Sequence, residues 1–485
     1  MSVTESSEST ETTEPSSEVT SKPPSRSAGW AALRPLVLRL HFYAGVLVAP
    51  FLLVAAASGL LYALSFQLER VVYADELTVP VGDGVELPLS AQVAAAREAY
   101  PDGTISAIRP SPEAGATTRV LLAGTPGIDD DKTLAVFVDP YTAEVRGALE
   151  QYGSTGALPV RTWIDELHRD LHLGAPGRLY SELAASWLWV VTGGGLLLWL
   201  SRWRARRARG DKRPAAGRRR TLGRHGTLGV TVAAGLFFLS ATGLTWSTFA
   251  GENVTELRAS LGQQTPDVSP TVGDAAEDAG AGHEGHPDVS GEAGEGDRPA
   301  SGLWVDEVLA IARAQGLSNP VELVPPADEE SAYVVRQIQR GWPEKQDAVA
   351  INPNGGEVLD VVRFDDFPLL AKLSRWGIDL HTGVLFGLVN QLALAALALS
   401  LIALIVLGYR MWWQRGRAGS FGRPLPRGVW RRVPPVLLVP LAVGVALVGW
   451  FLPVFGVTLV GFLLVDAVLG RVEGAPPRIG EGRDR

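Results

Sequence analysis

The sequence predicts an α-helical membrane bundle of about six spans, built on a parallel internal repeat and carrying two small α+β domains on its extracytoplasmic side. Three observations predict it. Long runs of the chain are almost free of charge, the segments between them alternate in sign, and the chain matches itself at fixed offsets.

Residues 1–33 are rich in Ser, Thr, Glu and Pro, and such a composition reads as a disordered tail. Apolar runs then occur at 36–66, 180–200, 228–249, 385–407 and 434–469. Each has the ~20 residues needed to cross a ~30 Å hydrocarbon core as a helix. Arg34 precedes the first run and Arg39 lies near its start, and no small-residue cleavage site comes after it, so 34–66 reads as a retained span. An extracytoplasmic domain follows at 67–166, a second span at 167–201, a basic loop at 202–224 and a third span at 225–249. A second extracytoplasmic domain takes 250–375 and contains a low-complexity acidic linker at 262–300, expected to be disordered. The fourth span is 376–410 and the second basic loop 411–433. The last run, 434–469, within the predicted hairpin 434–470, is too long for one span, because 36 residues make a helix of ~54 Å. Pro453 and Gly456 in "LPVFG" suggest a hairpin, with a single kinked fifth span as the alternative; 471–485 is a short tail.

Charge sets the orientation. Residues 202–224 hold eleven Lys or Arg against one acid, and 409–433 hold seven Arg and none. Short positive loops stay in the cytoplasm. The segments 67–166 and 250–375 are acidic, with sixteen acids against seven bases and 23 against nine. Both termini are therefore expected inside a cytoplasmic (inner) membrane, with the lipid bilayer as the main partner and no nucleic acid. The chain has no cysteine, which excludes disulfides, iron–sulfur clusters, thiolate zinc sites and covalent c-type haem.

The self-match has two offsets. "VFVDPYTAEV" (136–145) aligns with "VAINPNGGEV" (349–358), and the same shift of 213 carries His168 onto His381, Gly174 onto Gly387, Gly195 onto Gly408, Trp199 onto Trp412 and Arg202 onto Arg415. A shift of 184 carries His41, Gly45 and Gly59-Leu60 onto His225, Gly229 and Gly243-Leu244. The 29-residue difference falls on the acidic linker. The unit is span, extracytoplasmic domain, span, occurring twice in the same orientation. In each domain a helical stretch, 89–100 or 304–316, precedes strand-like segments, and neither has a nucleophile–base pair or a glycine-rich phosphate loop.

Five of the seven histidines sit at the ends of spans, where ionisable residues are costly. His41 and His225 lie at the cytoplasmic side; His168, His172 and His381 lie at the other. Haem iron with two axial ligands needs an imidazole on each face of the ring, and His41/His225 and His168/His381 supply two such pairs. Gly45 and Gly229, one turn after the inner histidines, would let a porphyrin or a second helix approach the backbone. His172, four residues from His168, would share its face if that stretch is helical. It could replace His168 as ligand or bind a haem propionate. Two plainer readings remain open: interfacial polar residues at helix ends, and a zinc site at His168-x3-His172 near Asp165, Glu166 and Asp379. His283 and His286 in "HEGH" read as part of a solvated linker, and Trp199, Trp203, Trp412 and Trp413 as an interfacial aromatic belt.

"LHRDLHLGAPGRLYSELAASWLWVVTGGGLLLWLSRW" and "LHTGVLFG…LGYRMWWQR" resemble the signature helices of PepSY-associated transmembrane proteins, and the likeness runs over nearly all of 34–470. It implies PepSY-like modules at 67–166 and 250–375. It also implies a membrane oxidoreductase with two b-type haems held by His41, His225, His168 and His381, resembling the iron-regulated reductases of ferric siderophores. "LWLSRW" departs from the tryptophan pair usual in the second span. The electron donor is expected to be a quinol or a separate cytoplasmic reductase, since no nicotinamide or flavin fingerprint is present. An iron or siderophore transporter and a non-redox PepSY regulator are the alternatives.

Overall fold

The computed structural model describes residues 26–81, 84–209, 217–272, 304–416, 427–428, 430 and 433–474. The chain enters through α1 (Arg26–Leu47) and continues into α2 (Ala49–Val72). The two form one rod with a joint. The Val48 N–H still reaches the Ala44 carbonyl at 2.9 Å, but Pro50 has no N–H to give to Val46. The Tyr409 hydroxyl, from a neighbouring helix, donates to that freed carbonyl at 2.9 Å. This helix starts before the predicted 34 and ends beyond the predicted 66. Helical hydrogen bonds do not need an apolar surface, so the rod outruns the apolar run at both ends.

A single turn, α3 (Ala74–Leu77), leads to α4 (Leu89–Ala99), then to β1 (Thr104–Arg109), β2 (Thr118–Ala123), β3 (Lys132–Val138) and β4 (Val145–Tyr152). The short α5 (Pro159–Arg169) precedes the long α6 (Ala175–Ala208), and α7 (Gly217–Thr245) and α8 (Phe249–Ser260) follow. The second set is α9 (Val305–Ala314), β5 (Val321–Val324), β6 (Tyr333–Gln337), β7 (Ala348–Ile351), β8 (Val358–Val362), α10 (Leu369–Thr382) and α11 (Gly387–Trp413). The described chain ends in α12 (Pro435–Phe451) and α13 (Pro453–Gly474), which pack on each other and turn at Leu452.

The strands make one antiparallel sheet in the order β4-β3-β2-β1-β5-β6-β7-β8. This differs from the expectation of two separate domains. The halves join where β1 meets β5 at Ile108 and Leu323, and Arg109 and Glu322 pair across that seam at 2.7 Å. Joining the two β1-type edges removes a pair of exposed edges, each a row of unpaired backbone groups. Equivalent positions keep the 213 offset in three dimensions. Val136 pairs with Ala148 as Val349 pairs with Val361, and the ladder slips between Phe137 and Val138 as it does between Ala350 and Ile351. On one face, α4 and α9 cover Val120, Val136, Val335 and Val349. The Asp306 carboxylate of α9 caps α4, accepting from the Leu89 N–H at 2.6 Å and the Ser90 N–H at 3.2 Å.

Beneath the other face lies the helical bundle, in which α6 packs on α1 and α7, and α11 packs on α2 and α7. Among the described residues five helices are long and apolar enough to cross a membrane: α2, α6, α7, α11 and α13 over Pro453–Arg471. The apolar α12 is shorter, at 17 residues. Two further expectations change. The predicted second span, 167–201, is broken between α5 and α6, where Leu171 and His172 take positive φ angles of 57° and 55°. The first part of the predicted disordered linker, 262–272, is placed, and its end pairs with the residues just before β6: the Val272 N–H meets the Glu330 carbonyl at 2.7 Å and the Ala332 N–H the Pro270 carbonyl at 2.6 Å. The rest of that linker, with His283 and His286, falls outside the described residues.

Candidate functional site

Each of the four repeat-related histidines faces its partner. The His41 and His225 rings stand 6.3 Å apart between centroids, at 71° to each other. The His168 and His381 rings stand 6.5 Å apart, at 45°. The first pair lies toward the basic end of the bundle and the second beneath the sheet. His168 sits against Ser58, 17 residues along the α1–α2 rod from His41, which sets the pairs about 25 Å apart along the helix direction.

The short helices α5 and α10 bring His168 and His381 to the bundle. α5 is pinned to α2 by Glu69, whose carboxylate accepts from the Leu158 N–H at 3.0 Å and from Arg161 Nε at 2.9 Å. Glu69 and Arg161 are both buried, so each needs the other; removing one partner of such a pair costs about 3–5 kcal/mol. α10 ends at Gly383, whose φ of 90° gives the left-handed cap that lets the chain reverse into α11.

Every ring is fixed through Nδ1. His41 Nδ1 meets the Val191 carbonyl at 2.9 Å, and His225 Nδ1 meets the Leu404 carbonyl at 3.1 Å. His168 Nδ1 meets Ser58 Oγ at 2.9 Å, and His381 Nδ1 meets Thr242 Oγ1 at 2.6 Å. A carbonyl can only accept, so His41 and His225 carry their proton on Nδ1; the same tautomer at His168 and His381 suits hydroxyls that donate up their own helices, Ser58 to Val54 and Thr242 to Phe238. These supports obey the repeat: Ser58/Thr242 are 184 apart and Val191/Leu404 are 213 apart. The sequence hid them because a serine opposite a threonine is no identity and a carbonyl has no side chain.

Glycines make the room. A Cβ at Gly195 would stand 3.0 Å from His41 Cε1, and one at Gly59 would stand 3.1 Å from His168 Cε1. The counterparts Gly408 and Gly243 leave 4.0 Å to His225 and 3.9 Å to His381. Gly45 and Gly229, singled out in the sequence as room for a porphyrin or a second helix, do not touch the rings; a Cβ at Gly45 would meet nothing within 4 Å, and one at Gly229 would meet Leu404 at 3.7 Å. Tyr62 stacks at 6.5 Å beside His168, and Trp246 meets His381 edge-on at 5.8 Å.

His172 takes no part in the pair. α5 stops at Arg169, so the helical spacing to His168 is lost, and His172 turns to Glu166 at 3.2 Å and to the Trp163 ring at 5.0 Å. Among the described residues no three His, Asp or Glu side chains gather as a metal cluster. At the basic end, Trp199 stacks on Trp203 at 6.1 Å, while Trp412 packs edge-on against Phe42 at 5.9 Å. Trp203 and Trp413 are exposed.

The sheet-side pair opens into a cleft of about 3640 Å³ between sheet and bundle. Its floor is apolar, with Ala55, Ala56, Leu188 and Leu397, and its upper wall is charged, with Arg340, Arg375, Asp165 and Arg169. Beside it an ionic cluster anchors α10. Arg340 pairs with the buried Asp379 at 2.5 Å, and Arg375 pairs with Glu344 at 3.1 Å. Burial pushes the Glu344 carboxyl up to about 7 and Asp379 adds to the shift, while Arg375 opposes it. The folded chain thus holds a proton that the unfolded chain releases near pH 4.5. This contribution to stability is full below that pH and is lost as pH rises through 7. The apparent Tm of the detergent-solubilised protein should fall from pH 5 to 8, and Glu344→Gln should flatten that fall. Parallel profiles for the two proteins would count against the assignment.

None of the curated proteins matches the chain. The family described as PepSY-associated TM region matches residues 38–415, from just before His41 to the end of the helix that supports His225, and the chain belongs to that family.

Proposed function

We propose that the chain is a di-haem b-type membrane cytochrome that carries electrons from its basic, cytoplasmic face to a ferric chelate or siderophore bound on the sheet side. The observation that carries this is the spacing of the imidazoles. Two imidazoles that held one metal ion between them, each nitrogen about 2.0 Å from it, would have ring centres about 6.3 Å apart. The two pairs stand at 6.3 and 6.5 Å. A ring held through Nδ1–H ligates through Nε2, and that outer hydrogen bond fixes its orientation and raises its basicity. The open space at Gly45 and the small or flexible side chains under the cleft suit a flat, apolar ring.

His41 and His225 would hold one haem and His168 and His381 the other; bound there, each haem supplies a one-electron couple. The chain's own work is to hold four rings in one tautomer, keep water from the bundle interior and offer a charged cleft to the acceptor. The electron that reduces Fe(III) to Fe(II) there must enter from a quinol or a separate reductase at the other face. The orientation rests on the basic loops, and six spans require α12 to cross at about 25 Å, near the lower limit for a span. The matching registers of the sheet halves support a tandem repeat of two PepSY-like units.

A pyridine haemochrome assay on protein produced with ample haem should approach two haems per polypeptide, with a Soret band that shifts on reduction. One haem would remove one pair from the reading. No haem at all would leave a transporter or a binding protein.

A further inference from the structure

The loop between β6 and β7 differs from its counterpart in the first half. The β2–β3 connection carries Asp130 and Asp131, which line the cleft, whereas the β6–β7 connection is held directly on the bundle. There the Trp342 N–H donates to the Leu385 carbonyl at 2.8 Å, and Arg340 reaches α10. Arg340 Nε and Nη2 both contact Asp379 Oδ1, at 2.6 and 2.5 Å, so one edge of the guanidinium is committed to that buried carboxylate. The other edge is not. Nη1 is buried with no hydrogen-bond partner, on a side chain only 10% exposed that lines the cleft shared by His168 and His381. A buried guanidinium nitrogen without an acceptor is costly and asks for a ligand.

We infer that the free Nη1 edge of Arg340 is a carboxylate-binding point in the cleft beside the His168/His381 pair. The inference rests on the cleft being the acceptor side of the proposed function. The carboxylate has two possible sources: a propionate of the prosthetic group held by that pair, or a carboxylate of the acceptor chelate. The charges around Arg340 favour an anion. Asp379 neutralises Arg340, while Arg375 is shared between Asp379 and Glu344, whose carboxyl holds its proton to about pH 7. Below that pH the cluster keeps an uncompensated positive charge.

Arg340→Lys tests this in the full chain, because lysine keeps a cation for Asp379 but has no second edge to offer; Arg340→Gln is the harsher companion. Two quantities are read: binding of gallium(III) citrate, a redox-inert carboxylate chelate, and the midpoint potential of the sheet-side haem. If the acceptor supplies the carboxylate, Arg340→Lys weakens gallium citrate binding at least about tenfold and barely moves the potential. If a propionate supplies it, binding is unchanged and the potential of that haem alone shifts. No change in either overturns the inference. A preparation without haem is still decided by the citrate arm. Binding that depends on Arg340 keeps the site while removing the electron-transfer reading, and binding indifferent to Arg340 removes the site.

Discussion

With haem bound as proposed, His168→Ala is expected to convert the sheet-side haem from low-spin, six-coordinate to high-spin while the other haem keeps its spectrum. The ring of His168 is the one that faces His381, at 6.5 Å, and it is carried by a helix bolted to α2 through Glu69. Nothing nearby can replace it. His172 lies past the end of α5 on left-handed backbone and is engaged by Glu166 and Trp163. His172→Ala should therefore leave both haems six-coordinate. Reduction of an external ferric chelate should fall at least about tenfold in the His168 variant, since an open position at the last carrier alters both its potential and its affinity. The measurement is low-temperature EPR with visible spectra of both variants. A high-spin signal from His172→Ala, with His168→Ala silent, would sink the pairing.

Gly195→Val should do comparable damage at the other end of the bundle. A Cβ there would stand 3.0 Å from His41 Cε1, and valine adds two methyl groups beyond it. The His41 ring cannot retreat freely, because Nδ1 is tied to Val191 one turn earlier on the same helix. Overpacking of this kind costs about 1–3 kcal/mol, so either the ring leaves its partner or the helices part. The expected result is loss or high-spin conversion of the haem at the basic end, with the sheet-side haem intact. The counterpart change, Gly408→Ala, adds a methyl at 4.0 Å from His225, an ordinary contact, and should leave both spectra as they are. Gly59 and Gly243 repeat the contrast on the sheet side, at 3.1 and 3.9 Å. Equal behaviour of Gly195→Val and Gly408→Ala would mean the rings are not seated where the helices place them.

The sequence by itself determined the helical bundle, the two sheet-bearing segments and the partnership of the four histidines. Hydrophobic runs and repeat offsets are written in side chains, and they constrain which helix ends share a level. Choosing His168 over His172 was also within its reach, because a one-turn slip would have broken the match at Gly174/Gly387 and Trp199/Trp412 together. Only the tertiary structure decided the rest. The two sheet segments fused into one sheet because a strand edge must be paired, and no local pattern names the partner. The glycines that clear the histidine rings lie on α6, α11, α2 and α7, across from the rings, since clearance is a property of the facing helix. The rings are held through Nδ1 by two carbonyls and two hydroxyls whose sequence signature is weak or absent. Arg340 has no counterpart in the first half, so a reading built on the repeat passes over it; a loop that folds back 41 residues ahead of His381 brings it into the cleft.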